Sequence, residues 1–162
     1  MAKIKLTQGK YAVVDKEDFE WLNSLKWQYD VHGYATRGYW IKGGKGKTIK
    51  TYLHRFVMGN PKNKRIDHIN RNKLDCRKVN LRIATHSENL MNRVAPKGNK
   101  SGYKGVIFDK SRKKWRAEIK HLYKSYYLGR FITRKEAALA YNQAAKEYFG
   151  EFAYQNQIGG NI

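Results

Sequence analysis

Four residues in the middle of the chain carry the groups that metal-assisted hydrolysis of a phosphodiester requires. Asp67 and His68 are adjacent, Asn80 follows the histidine by twelve positions, and Asn89 follows Asn80 by nine. The reaction needs a nucleophilic water, neutralised charge on the phosphate oxygens and help for the leaving oxygen. One hard divalent cation and one general base can supply all three. Asp67 and the amide oxygen of Asn89 are oxygen donors suited to Mg²⁺ or Mn²⁺. His68 titrates near neutrality in its ordinary state and suits the base, and Asn80 could fix either the loop or the imidazole. Singly, each would pass for an ordinary turn, strand-end or surface residue, and only the joint spacing points to a site.

The elements that must position these residues form a small strand-turn-strand-helix unit. Arg65 to Ile69 alternates as a short strand, Asn70-Arg71-Asn72 reads as a turn, and Asn80 to Ala84 as the return strand. Thr85 with Glu88 three residues on is a capping-box pattern, which places Asn89 in the first turn of the helix that follows.

Composition bounds the partner. Lys and Arg number 34 against 13 Asp and Glu, a formal charge of +21 over 162 residues, which calls for a polyanion, with nucleic acid the default. Aromatic residues at 14% are too frequent for a disordered basic arm. No apolar run approaches the roughly 20 residues of a membrane span, so a soluble, cytoplasmic protein without a membrane partner is expected. The single cysteine, Cys76, excludes internal disulfides and paired-cysteine zinc sites.

Taken in order, residues 1 to 14 read as a strand pair turning through Thr7-Gln8-Gly9. Asp15 then starts a helix whose Phe19, Leu22 and Leu25 form a buried stripe. Asp15, Glu17, Asp18, Glu20 and Asp30 are five of the 13 acidic residues, so this end should face away from a phosphate backbone. Tyr34 to Ile41 and Thr48 to Leu53 read as a hairpin joined by the loop Gly43-Gly44-Lys45-Gly46-Lys47, which lacks Walker spacing. His54 to Met58 reads as a helical turn closed by Gly59, and Arg55 and Arg71 are candidate phosphate contacts. Residues 94 to 102, VAPKGNKSG, have linker composition and reach about 30 Å when extended. Beyond them, Tyr103 to Phe108, Lys114 to His121 and Tyr123 to Leu128 read as three strands. A helix capped by Thr133 and Glu136 follows, with a stripe of Ala137, Ala140, Tyr141, Ala144, Ala145 and Tyr148. Its small residues let it lie close on one face of the sheet, leaving a basic outer face that fits a major groove about 12 Å wide.

The runs LHRFVM, IDHIN, NKLDCRKVNLR and SENLMNR resemble the HNH endonucleases of phages and mobile introns, over roughly residues 48 to 93. The resemblance implies a ββα-metal module that binds the cation through Asp67 and Asn89, with His68 as base, Asn80 orienting it, and 5′-phosphate and 3′-hydroxyl products. The runs SGYKGV, WRAEI, YYLGRF and TRKEAALAYNQAAKEYFGEFAYQN are similar to the APETALA/ethylene-response-factor DNA-binding domain, over about Ser101 to Asn156. That similarity implies a sheet in the major groove, read through Lys104, Ile107, Asp109, Arg116, Glu118, Lys120, Ser125, Tyr127 and Arg130. Ile107, Asp109 and Ser125 stand where plant domains carry arginines, so the plant target does not transfer.

The expected architecture is α+β: a region over 1–93 containing the ββα-metal module, a linker at 94–102, a three-stranded antiparallel sheet packed on one helix over 103–156, and a tail at 157–162. The expected function is a homing-type, metal-dependent endonuclease acting on double-stranded DNA as a monomer or homodimer. Two rivals remain open on sequence: a non-catalytic sequence-specific DNA-binding regulator and an RNA-binding protein.

Overall fold

Alternating apolar residues at the N-terminus build the first layer of the fold. The computed structural model describes residues 1–40 and 48–159, and its contacts divide the chain into two compact units, Met1–Asn89 and Leu90–Ile162. In the first, β1 (Ala2–Lys5) pairs antiparallel with β2 (Tyr11–Val14), and Ile4, Leu6, Ala12 and Val14 are all buried. The turn places Gln8 and Gly9 at φ of 60° and 65°. Strand alternation turns Tyr11 outward.

Helix α1 (Lys16–Asn23) follows, with Asp15 at its N-cap position. The Asp15 carboxylate does not cap the helix; it accepts from the Lys78 main-chain N–H at 2.8 Å. Leu22 is fully buried, and its carbonyl accepts from the Trp27 indole at 2.9 Å. A second sheet contains β3 (Gln28–Tyr29), β4 (Ala35–Trp40) and β5 (Thr48–Tyr52), in that order and antiparallel. The two long arms are the expected hairpin, while β3, too short to show a period, was not expected. The glycine-rich loop read between them lies outside the described residues. Helix α2 (Leu53–Val57) is followed two residues on by Gly59, where φ is +70°. Strand β6 (Arg65–His68) then pairs antiparallel with β7 (Leu81–Ala84), and α3 (His86–Met91) follows after one residue. Ile66, Cys76 and Leu81 join Ile4, Leu22, Trp27 and Leu53 in one core, so the candidate strand pair is seated on the body of its unit. The Cys76 thiol is buried, which pushes its pKa up to about 12 and leaves it unreactive.

The second unit is a three-stranded antiparallel sheet, β8 (Val106–Asp109), β9 (Lys114–His121) and β10 (Lys124–Phe131), with β9 central. Helix α4 (Arg134–Phe149) covers one face, and Thr133 caps it by accepting from the Glu136 N–H at 3.2 Å. Val106, Ala117 and Ile119 from the sheet meet Ala137, Ala138, Tyr141, Ala144, Ala145 and Phe149 from the helix. Two members of the expected stripe, Ala140 and Tyr148, are only half-buried, and Ala138 and Phe149 occupy the interior instead. Trp115 packs at the rim of this core, 4.9 Å from the Phe108 ring. Within 94–102, Asn99 and Ser101 are tied down: Ser101 Oγ donates to Asn99 Oδ1 at 2.6 Å, and Asn99 Nδ2 to the Tyr103 carbonyl at 2.9 Å. Among the described residues, no helix is long and apolar enough to cross a membrane.

Gly105 sits at φ +75°, where an added Cβ would overlap the Tyr141 ring and the Glu118 carbonyl oxygen. Gly105→Ala therefore meets both backbone strain and overpacking, together worth about 2 kcal/mol or more. In thermal denaturation the transition of this unit should fall by about 10 °C.

Candidate active site

Strand pairing sets the geometry around Asp67 and His68. The ladder places Asp67 opposite Arg82 and His68 opposite Leu81. Asp67 is buried, and its Oδ2 accepts from Arg82 Nε at 3.0 Å and Nη2 at 2.7 Å. The guanidinium is nearly as enclosed as the carboxylate, at 11% and 7% side-chain exposure, so the contact escapes most of the solvent screening that weakens surface pairs. Arg82 was not among the sequence candidates. Only knowledge of the register identifies it as the residue facing Asp67.

His68 is 5% exposed. Its ring meets that of His54 edge-on at 4.9 Å between centroids, and Tyr34 lies 5.3 Å from His54 and 6.1 Å from His68. Burial lowers the His68 pKa to about 4, against the opposing pull of Asp67 and Asp75. His54 is lowered further, to about 3, by burial and then by His68 and Arg55. Both imidazoles are therefore neutral at pH 7, and a neutral imidazole is the form that can take up a proton. His54 also escaped the sequence reading, since a histidine at the start of a helical turn carries no sign of burial beside a second one.

Asn80 precedes β7 and is buried. Its Oδ1 accepts from the Asn70 N–H at 3.0 Å, and its Nδ2 donates to the Asp75 carbonyl at 2.8 Å. Its own carbonyl accepts from the Ile69 N–H at 2.9 Å. Of the two roles left open, these bonds are those of a loop clasp. Asp75, which accepts from Asn70 Nδ2 at 2.8 Å and from Arg77 Nε and Nη2 at 2.7 and 2.6 Å, completes the 70–77 loop. Arg71, at φ +63°, stands exposed at its turn.

The helix behind the strands begins as its pattern requires. Glu88 Oε2 accepts from the Thr85 N–H at 2.7 Å, and Thr85 Oγ1 accepts from the Glu88 N–H at 3.2 Å, a reciprocal capping box. Asn89, half-buried, is the next residue, and its N–H bonds the Thr85 carbonyl at 3.1 Å. Asp67 and His68 thus share one buried strand, Asn80 leads into its partner, and the short helix carrying Asn89 follows that partner directly. An oxygen-donor pair of one carboxylate and one amide is chemistry that fits a hard divalent cation.

Two residues expected to meet DNA, Arg55 as a phosphate contact and Lys104 as a reading position, make bonds within the protein. The Arg55 guanidinium donates to Asn60 Oδ1, the Lys64 carbonyl and the Pro61 carbonyl at 3.0, 2.9 and 2.6 Å, clamping the loop that leads into β6. The Lys104 ammonium donates to the Leu90, Met91 and Arg93 carbonyls at 3.2, 2.6 and 2.8 Å. Burial and the Arg93 charge lower its pKa to about 8. The remaining candidates of the second unit lie on strands β8 to β10, whose other face is under α4. Pairing aligns Ile107 with Arg116 and Arg116 with Arg130, Glu118 with Tyr127, and Lys120 with Ser125. Arg116 pairs with Glu118 at 2.9 Å, and Arg130 Nε with Asp109 at 2.9 Å. Arg130 also donates to the Tyr127 hydroxyl at 3.1 Å and lies over its ring. Asp109, bonded by Ser111 and Arg130, is held well below the usual carboxylate range.

Comparison with known proteins bears on both units. A family model described as an HNH endonuclease matches residues 52–91, and one described as an AP2 domain matches residues 101–151. An uncharacterized HNH endonuclease of Acanthamoeba polyphaga mimivirus is 30% identical over 157 residues, covering 93% of this chain and 77% of the relative. Protein 3.8 of Escherichia phage T7 is 44% identical over 59 residues, 36% of this chain and 49% of the relative.

Two outcomes follow from this geometry. Arg55→Met should cost about 2 kcal/mol in urea denaturation through the lost charge-assisted bonds, while leaving the salt dependence of nucleic-acid binding unchanged. The buried imidazoles set an acid limit. Unfolded, both titrate near 6.5; folded, near 3 and 4. Between about pH 6.5 and 4 the unfolded chain therefore binds more protons, and stability falls with acidification through that window. The urea midpoint, followed by tryptophan fluorescence, should show this slope, and His54→Phe should make it shallower.

Proposed function

The chain belongs to the HNH endonucleases and carries an AP2 domain, and from that premise we propose that it is a metal-dependent endonuclease of duplex DNA, of the homing type. The observation that carries the reading is the buried β6 strand, which turns Asp67 to Arg82 on one side and His68 to His54 on the other. Asp67 and the Asn89 amide oxygen would hold the cation, Mg²⁺ or Mn²⁺. When bound, that cation supplies charge neutralisation at the phosphate. His68, neutral at pH 7, accepts the proton of the attacking water. Its wall of Tyr34 and His54 fixes the ring, and Asn80 holds the loop that follows the strand. Arg82 keeps the Asp67 carboxylate oriented from the neighbouring strand. The products are a 5′-phosphate and a 3′-hydroxyl.

The AP2 sheet gives the separate grip. Arg116, Glu118, Lys120, Tyr127 and Arg130 form its DNA face, with Arg116 and Arg130 each held in orientation by a carboxylate. A single HNH site cuts one strand per encounter, so a monomer nicks and a homodimer can cut both strands. The relatives from a giant virus and a phage support action in an infected cell.

Purified protein with Mg²⁺ should convert supercoiled plasmid to the nicked form. His68→Ala should reduce the rate by about a hundredfold or more while leaving duplex binding intact. Normal nicking by His68→Ala would remove that residue from the chemistry, and binding without cleavage of any DNA by the unaltered protein would favour the regulator.

A further inference from the structure

The hairpin joining β9 and β10 breaks two local rules at its tip. His121 pairs with Lys124, so Leu122 and Tyr123 alone form the connection, and both have positive φ, 47° and 65°. A two-residue turn with both residues left-handed is the hairpin geometry for which Asn-Gly is strongly preferred. Branched and bulky side chains are disfavoured there because Cβ crowds the following carbonyl. Packing does not compensate: Leu122 is 72% exposed and Tyr123 fully exposed, at 109%. Neither backbone preference nor apolar burial accounts for these residues. Strained positions without a folding benefit concentrate where a partner binds.

The surroundings identify the partner by charge. Lys120, exposed, stands next to the tip on the face that carries Arg116 and Tyr127, while Lys124, paired with His121, lies on the opposite face. His121 is turned inward against Tyr148 and Phe149 at 5.4 and 5.7 Å, which anchors the end of the hairpin on α4. The tip continues the sheet that carries Arg116, Tyr127 and Arg130. Two side chains bury at most about 400 Å², well short of the roughly 800 Å² per partner of a stable protein interface. They suit an auxiliary contact on a surface already gripped electrostatically.

We propose that Leu122 and Tyr123 form an apolar tip that contacts duplex DNA, packing on deoxyribose and base edges while Lys120, on the face of Arg116 and Tyr127, holds a phosphate beside them. The proposal rests on the reading of the AP2 sheet as a DNA-binding face and adds a contact beyond that face. It explains why an energetically poor turn is tolerated.

The full chain carrying L122N and Y123G together tests it, with a fluorescein-labelled mixed-sequence duplex in EDTA as probe and fluorescence anisotropy as readout. Replacing the pair with the preferred turn residues should raise the melting temperature by several degrees and weaken binding by about tenfold. Because the lost contact is apolar, the slope of log K against log salt should stay unchanged, whereas Lys120→Gln should reduce it by about one. Unaltered affinity in the double variant overturns the proposal and leaves the DNA-binding reading standing. A parallel loss of stability and affinity also overturns it, by making the turn structural. Failure of the unaltered protein to bind duplex overturns both, and loss confined to a structured-RNA probe reassigns the tip to RNA.

Discussion

The register of a two-stranded ladder only four residues long is the constraint on which the candidate site depends. A slip of one residue between β6 and β7 would send Asp67 to the core face and His68 to the outer face, the reverse of their present sides, and four backbone pairs are weak insurance against it. Side chains supply the rest. Arg82 locks onto Asp67 directly across the ladder, and Asn80 fastens both ends of the intervening loop through the Asn70 N–H and the Asp75 carbonyl. Leu81 and Ile66 reach into the core from the two strands. The ladder's geometry is therefore held by one buried ion pair, one amide clasp and two apolar anchors, with the capped helix fixed immediately behind it.

A strongly basic chain must spend its few carboxylates carefully, and the fold shows where they go. Glu17 and Asp18 take Lys78, Asp30 takes Lys50, Asp75 takes Arg77, and Asp109 takes Arg130. These pairs order loops and orient guanidinium groups. The acidic helix end that sequence alone suggested as a repelled surface is, in part, an internal counter-charge for Lys78. Asp67 differs in being buried on a strand, next along the chain to the neutral His68 imidazole, and Arg82 balances its charge from the partner strand. Neutral histidines and a carboxylate bound to a guanidinium let this enclosed corner exist without an uncompensated charge.

What the sequence made legible was local chemistry. The Thr85–Glu88 and Thr133–Glu136 caps depend on residues three apart and appear as read. Alternation along Lys114 to His121 likewise revealed the buried face of β9. What escaped reading depends on contacts made only after folding. Arg82 faces Asp67 through register, His54 reaches His68 through packing, and Arg55 and Lys104 looked like solvent-exposed cations until main-chain carbonyls claimed them. Asp15 begins its helix, yet its carboxylate bonds a backbone amide 63 residues away. Tyr123 has the composition of a strand residue, and only the pairing of His121 with Lys124 moves it into the turn.

Under the proposed function, Asp67 and Asn89 make the first unit a divalent-cation site. Titration of Mn²⁺ into the purified protein, followed by the paramagnetic resonance signal of the free ion, addresses it without reference to cleavage. One ion should bind per chain, and an Asp67→Asn variant that remains folded by circular dichroism should lose it. Undiminished Mn²⁺ binding in the folded variant would contradict it.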